Sequence, residues 1–269
     1  MSTSNRATAP AKLNLALVVG PVRGDGKHEV VTVMAPLELA DDIDLEPAEA
    51  LSVEGYAGDA LVRGALLALA SAAGTDGRWR VTIDKRIPVA AGLGGGSSDA
   101  ATALRLANET LDEPLDDDRL HELAAGLGAD VPFFLAPGVK LARGDGTTLE
   151  PLELAADFQV VLLLPHGESK SSTATVYQAF DARAGEAGFD ERAAALEDAL
   201  RAGDLARLPR NDLASSPHAA TLEGLGAVRA DVTGAGPAVY GLFREPGRAE
   251  EAARAVAPLG WIWVGKVGW

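Results

Sequence analysis

Between residues 12 and 17, Leu13, Leu15 and Leu17 alternate with Lys12, Asn14 and Ala16. A period of two belongs to a β-strand; it sends the leucines to a core and leaves Lys12 and Asn14 on the other face. Further strands are expected over 29–33, 37–45, 51–54 and 78–84, where Trp79, Val81 and Ile83 alternate. Helices fit 59–73, 97–110 with Ala100, Ala103, Leu104 and Ala107 on one face, and a third running to Leu127. Asp116 caps that third helix, Leu120, Leu123 and Leu127 form its buried side, and Gly128 stops it. After a strand at 139–143 and a Gly144-Asp145-Gly146 turn, the pattern pauses over 150–157. That pause suggests a boundary between domains 1–152 and 153–269. The second half reads as a buried strand at 158–164, helices at 172–184, 190–202 and 221–226, and strands at 227–232 and 238–243. A helix at 248–256 and a strand at 261–264 complete it. Strands gathered with helices in each half indicate an α+β protein.

One segment breaks this rhythm. Residues 88–101 read Pro-Val-Ala-Ala-Gly-Leu-Gly-Gly-Gly-Ser-Ser-Asp-Ala-Ala. Four glycines in five positions, Gly92, Gly94, Gly95 and Gly96, leave the backbone amides unshielded and free to turn toward one point. Ser97, Ser98 and Asp99 then open the helix, and loop amides beside a helix N-terminus form an anion site. The Walker pattern fails because Ser97 and Ser98, not Lys and Ser, follow Gly96. The dinucleotide pattern fails because Ser97 falls where its third glycine belongs. A plain strand-to-helix loop remains the bland alternative, but it does not ask for four glycines and a serine pair.

Charge narrows the partners. A net −15, from 39 acidic against 24 basic residues, opposes general binding to nucleic acid or an anionic membrane. It also opposes an anionic nucleotide, so a phosphate site here needs local donors and a metal ion. The acids at Asp41, Asp42 and Asp44, and at Asp116 to Asp118, read as solvated turns and helix starts. No cysteine occurs, which excludes thiolate catalysis and suits a reducing cytoplasm. The longest apolar run, 65–70, is too short to cross a bilayer. Monomer and homodimer stay open.

Several polar residues invite chemical roles. Asp130, at a helix exit before Pro132, Phe133 and Phe134, is placed to orient a hydroxyl and take its proton, or to satisfy backbone amides. Lys12 would partner that acid and neutralise a transferring phosphoryl group, or would be a solvated strand-end lysine. Asn14 would contact substrate or satisfy a turn. Thr233-Gly234-Ala235-Gly236-Pro237 is a hairpin or a pocket wall, and His28 is a base-reading imidazole or a surface side chain. His121, His166 and His218 form no metal-binding spacing.

Three segments in order, Pro10 to Leu15, Gly92 to Ala101 and Thr233 to Pro237, resemble the three motifs of the GHMP kinase superfamily (galactose, homoserine, mevalonate and phosphomevalonate kinases). Asp25 to Glu29, Gly128 to Phe134, Ser172 to Tyr177 and Asn211 to Leu213 narrow the likeness to the branch that phosphorylates a cytidyl alcohol for isoprenoid precursors. The resemblance implies an N-terminal ATP-binding domain like domain 2 of ribosomal protein S5, and a ferredoxin-like α/β sandwich at the C-terminus. The active site would lie in the cleft between them. It implies that Pro88, Ala90, Gly92, Leu93, Gly94, Gly95, Gly96, Ser97 and Ser98 hold the phosphates of ATP, with Ser98 touching Mg²⁺. Asp130 and Lys12 would be catalytic; Asn14, Lys27, His28, Tyr177, Thr233 and Gly234 would bind the small-molecule substrate. The branch carries Tyr where this chain has Lys27, so one aromatic wall of a base sandwich is missing. A sister kinase for homoserine, mevalonate or a sugar is the nearest rival, and a non-catalytic nucleotide sensor the next.

Overall fold

The computed structural model describes residues 5–56, 60–154, 157–168 and 172–268. Two compact units emerge, neither a single stretch of chain. The first is Met1–Ala11, Leu39–Val89 and Gly94–Pro137; the second is Lys12–Glu38, Ala90–Leu93 and Gly138–Trp269. Two long strands, β1 (Asn5–Val22) and β2 (His28–Pro47), contribute residues to both.

In the first unit β2 pairs antiparallel with β4 (Trp79–Asp84), Asp42 opposite Asp84 and Pro47 opposite Trp79. Strand β3 (Ser52–Glu54) joins β4 in parallel. This unit holds the α-helices α1 (Ala60–Ala73), α2 (Gly95–Asn108) and α3 (Asp117–Leu127). Asp59, the expected first residue of α1, lies outside the described residues. Helix α2 opens two residues earlier than its alanine pattern suggests, because Gly94 takes the left-handed conformation at the N-cap, φ 72°. Helix α3 is capped by the Asp116 side chain on Arg119 N–H, as its sequence predicts. Its buried residues are Leu120 and Ala124; Leu123 and Leu127, expected inside, are only half-buried.

The second unit carries a hairpin, β5 (Lys140–Gly144) and β6 (Thr148–Pro151), with β5 paired to the first half of β2. Strand β6 occupies part of the expected pause; four residues long and largely exposed, it has no apolar alternation to reveal it. The two strands expected at 29–33 and 37–45 are one strand. Pro36 falls between the residues of β2 that pair with β5 and those that pair with β4, so its missing N–H costs neither ladder a bond. A second sheet is antiparallel throughout, in the order β10 (Gly260–Lys266), β7 (Gln159–Pro165), β9 (Val239–Phe243), β8 (Arg229–Val232). Helices α4 (Thr173–Ala182), α5 (Phe189–Arg201), α6 (Pro217–Gly224) and α7 (Pro246–Val256) belong to the same unit. Leu222 of α6 and Ala249, Ala252 and Val256 of α7 pack on Val161, Leu163, Val239 and Phe243. Among the described residues no helix is long and apolar enough to cross a membrane.

Strand β1 departs most from its pattern. Residues 9–20 are all buried, so the face expected to be polar is covered as well as the leucine face. Lys12 is 3% exposed and Asn14 4%; neither is a solvated strand-end residue. A buried ammonium survives only where hydrogen bonds and charge replace water.

Candidate active site

Lys12 Nζ donates to Asn14 Oδ1 at 2.5 Å, and Asn14 Nδ2 donates to Thr32 Oγ1 at 2.8 Å. Thr32 Oγ1 in turn donates to the Ala16 carbonyl at 2.7 Å. Asn14 is thus fixed by Thr32 of β2, and Lys12 through Asn14. The Lys12 amide donates to Leu93 O at 2.9 Å, and the Ala238 amide to Ala91 O at 3.1 Å, tying the start of the glycine loop to the second unit's strands. Thr233 links the motifs: its Oγ1 accepts from Asn14 N at 3.0 Å and reaches Gly92 O at 3.4 Å. Gly92 has φ 85°, and a Cβ there would press into the Thr233 carbonyl oxygen. A Cβ on Gly234 would sit 3.5 Å from both Lys12 Nζ and Asn14 Oδ1. The residue Asn211 holds this loop from behind, donating to Val232 O at 2.9 Å and Gly234 O at 2.7 Å. The 233–236 segment is therefore the hairpin connection between β8 and β9, and also the surface on which Lys12, Asn14 and Gly92 converge.

The rest of the glycine loop opens α2 in the first unit. Its first-turn amides, Gly95, Gly96 and Ser97, have no carbonyl one turn back to bond. Gly96 is exposed, and a Cβ there meets nothing within 4 Å. Ala90, before the glycines, has φ 58°, a left-handed strain in a residue with a Cβ. Ser98 is fully buried, and its Oγ has no hydrogen-bond partner among the described residues.

Beneath this helix end lies a cluster that composition conceals. Lys85 Nζ donates to Asp41 Oδ2 at 2.5 Å and to Asp99 Oδ2 at 2.6 Å, both carboxylates being fully buried. Asp41 Oδ1 also takes the Arg86 and Ile87 amides. The expectation that Asp41 is a solvated acid is wrong: it stands in phase with Leu39, Ile43 and Leu45 on the inner face of β2. Burial pushes the Asp99 carboxyl up to about 7, against the pull of the Lys85 ammonium and with the push of Asp41.

Asp130 is half-buried in the turn that leads from α3 to the short helix Pro132–Leu135. Val131 N–H returns to Gly128 O at 3.1 Å, and Phe133 and Phe134 are buried edge to face at 4.9 Å. The aromatics fix the local backbone as the sequence suggests.

A third group lies at the end of the second unit's hairpins. His28 stacks on Tyr177 with centroids 4.7 Å apart and meets Phe180 edge-on at 5.9 Å. Its Nε2 is 2.7 Å from Asp181 Oδ1, an acid that sequence inspection passed over. Tyr177 and Asp181 are four apart on α4 and so share a face, a spacing that could have disclosed the pair. Lys27 Nζ pairs with Asp145 Oδ2 at 2.6 Å. Burial works to raise the Asp145 carboxyl, but hydrogen bonds from Lys27 and Thr147 overcome it and hold it at about 2. Among the described residues no group of three or more His, Asp or Glu side chains is arranged to hold a metal ion.

Known proteins match this arrangement. Residues 60–138 match the GHMP kinases N terminal domain and 219–259 the GHMP kinases C terminal domain. The chain is 38% identical to the 4-diphosphocytidyl-2-C-methyl-D-erythritol kinase of Chlorobium luteolum, over 93% of each chain. It is 37% identical to that of Kineococcus radiotolerans, over 94% of this chain and 86% of the other. A crystal structure of 4-(cytidine 5'-diphospho)-2C-methyl-D-erythritol kinase superposes with TM-score 0.81 and 34% identity, covering 98% of this chain and all of that one. Homoserine kinase from Cytophaga hutchinsonii, at TM-score 0.74 and 17% identity over 98% and 95% of the two chains, shares the fold. A two-domain α+β fold, the three motifs in order and this degree of identity together place the chain in the 4-diphosphocytidyl-2-C-methyl-D-erythritol kinase family of GHMP kinases.

Proposed function

We propose that this chain transfers the γ-phosphoryl group of ATP to the 2-hydroxyl of 4-diphosphocytidyl-2-C-methyl-D-erythritol, a step toward isoprenoid precursors. The observation that carries this reading is a buried ammonium, Lys12, locked by Asn14 beside Gly234 of the loop that clamps Gly92. A cation held there has no folding purpose that an apolar residue would not serve better. It suits a site where negative charge arrives.

In this reading the first-turn amides of α2 hold the phosphate chain, and Gly96 keeps the approach clear of side chains. Gly92, Leu93, Gly94, Gly95, Ser97 and Ser98 shape the same cradle, with Pro88 and Ala90 at its entry. Asp130 orients the acceptor hydroxyl and takes its proton as the oxygen–phosphorus bond forms and the bond to the β-phosphate oxygen breaks. Lys12 neutralises charge on the moving group, and Asn14 holds Lys12 and the acceptor in line. Thr233 and Gly234 close the wall. His28 receives the cytosine end, with Tyr177 stacked on the imidazole behind it and Lys27 next to it in the chain. Mg²⁺, when bound, would supply charge neutralisation on the phosphates. Ser98, whose buried Oγ has no hydrogen-bond partner among the described residues, is the side chain that would hold that ion. Residues 1–152 are the ATP-binding domain in this reading and 153–269 the C-terminal one, and the enzyme works in the cytoplasm as a monomer or homodimer.

The test is ADP release with the cytidyl alcohol as acceptor. Asp130→Ala should lower kcat by about 10² or more while ATP still binds; near-normal turnover would remove Asp130 from the chemistry. Equal turnover of homoserine, mevalonate or a sugar would reassign the chain to a sister kinase. No turnover with any alcohol would leave a nucleotide sensor.

A further inference from the structure

We propose that Asp181 is a positioning residue for base selection: it fixes the His28 tautomer whose second ring nitrogen accepts from a pyrimidine's exocyclic amine. This inference rests on the cytidyl substrate proposed above.

An ionised carboxylate only accepts, so the 2.7 Å contact from His28 Nε2 to Asp181 Oδ1 requires the proton on Nε2. In a neutral imidazole the other nitrogen, Nδ1, is then an acceptor. The ring has little freedom to escape that assignment. Its side chain is only 10% exposed, stacked on Tyr177 and backed by the edge of Phe180. Asp181 reaches it from 153 residues away, across the unit, so the contact is built rather than local.

The space beside this pair matches a single base. A cavity of about 160 Å³ is lined by Gly20, Pro21, Val22, His28, Asp181 and Glu186. A cavity of about 150 Å³ admits a benzene-sized ring. Gly20, Pro21 and Val22 offer a thin, weakly polar floor. The carboxylates of Asp181 and Glu186 are acceptors, and the contact with Asp181 leaves Nδ1 as the acceptor nitrogen of the His28 ring. Such a lining rewards an amino-bearing pyrimidine and opposes one whose keto oxygen would face acceptors with no proton between them. Cytosine and uracil differ on this edge at two neighbouring positions, a 4-amino donor beside a bare N3 against a 4-keto acceptor beside an N3–H, and His28 Nδ1 is proposed to read the first. Asp181 thereby acts on selectivity through His28, without needing to touch the base.

The experiment titrates the whole chain with cytidine 5'-diphosphate and uridine 5'-diphosphate at pH 8, where imidazoles are ordinarily neutral. The unaltered protein should bind the cytidine form tenfold or more tightly. In Asp181→Asn the amide can donate to Nε2 and install the opposite tautomer, so the ratio should fall to one or invert. Asp181→Ala, which removes the partner without replacing it, should give a ratio in between. A ratio preserved in both variants while both nucleotides weaken equally would reduce Asp181 to a structural prop and overturn the proposal. So would equal binding of the two nucleotides by the unaltered protein. Nitrogen-15 spectra of His28 read the tautomer directly: a proton on Nδ1 in the unaltered protein refutes the assignment. Turnover of the cytidyl alcohol is scored separately; its absence alongside the expected binding ratios would defeat the proposed reaction and leave this inference standing.

Discussion

Adding one methyl group at Gly96 should make the protein more stable and the enzyme worse. Gly96 is the second residue of α2, its φ is not positive, and a Cβ there finds nothing within 4 Å. Alanine in a helix gains about 0.5–1 kcal/mol over glycine, because the unfolded chain has fewer conformations to lose. For a chain of this size that corresponds to a rise of about 2 °C in Tm. If phosphates sit against these amides, the same methyl occupies the approach that glycine leaves open. A displacement of about 1 Å at a reacting group costs about 10² in rate. Calorimetry and steady-state kinetics on Gly96→Ala should therefore move in opposite directions, with the ATP KM up at least tenfold. Gly92→Ala supplies the contrast. It forces a Cβ into a left-handed residue, about 1–2 kcal/mol, and against the Thr233 carbonyl, whose hairpin cannot yield cheaply. Stability and activity should then fall together. A Gly96→Ala enzyme with raised Tm and unchanged kcat and KM would show that nothing binds over Gly96, and the phosphate-loop argument would fail with it.

Two other perturbations test the electrostatics and the base wall. Asp99, raised to about 7 by burial, keeps its proton in the folded state over a range where the unfolded chain has released it, so this group's contribution to stability falls as pH rises from about 4 to 7. Asp99→Asn should match the unaltered protein near pH 5 and exceed it at pH 8 in denaturant midpoints; a constant difference would contradict the assignment. Lys85→Met, which strands two buried carboxylates, should cost about 3–5 kcal/mol at pH 8 and less at pH 5. Lys27→Tyr supplies the aromatic wall that the resemblance to the kinase family leads one to expect at this position and should lower KM for the cytidyl alcohol about tenfold, since stacking on one base is worth about 1–3 kcal/mol. The Lys27–Asp145 pair it breaks is exposed on the lysine side and worth at most about 1 kcal/mol, so Tm should hardly change.

How far the sequence announces this structure depends on whether a residue's role follows from its neighbours in the chain. The alternation in β4 and the Asp116 cap are local signals, and each lies where its pattern puts it, while the glycines mark the start of α2 to within two residues. The acids of β2 show where local inspection fails. Asp41, Asp42 and Asp44 look like one solvated cluster, yet a strand separates them by parity. Leu37, Leu39, Asp41, Ile43 and Leu45 form one buried row, while Asp42 and Asp44 are only half-buried. The antiparallel register sets Asp42 against Asp84, which brings the next residue, Lys85, opposite Asp41. Pairing was thus implicit in phase and register, though not in composition. Lys12 follows the same logic. A cation on one side of a strand looks solvated until a second layer covers that side, and the covering comes from elements remote in sequence, Thr32 and the 233–236 hairpin. A charge inside an apolar row cannot be left alone in the folded state. Lys85 finds Asp41 across 44 positions of the chain, whereas Lys12 is held by Asn14 only two residues on and it is Asn14 that is anchored from afar, by Thr32 and Thr233; in both cases the pairing follows from strand phase and register rather than from composition.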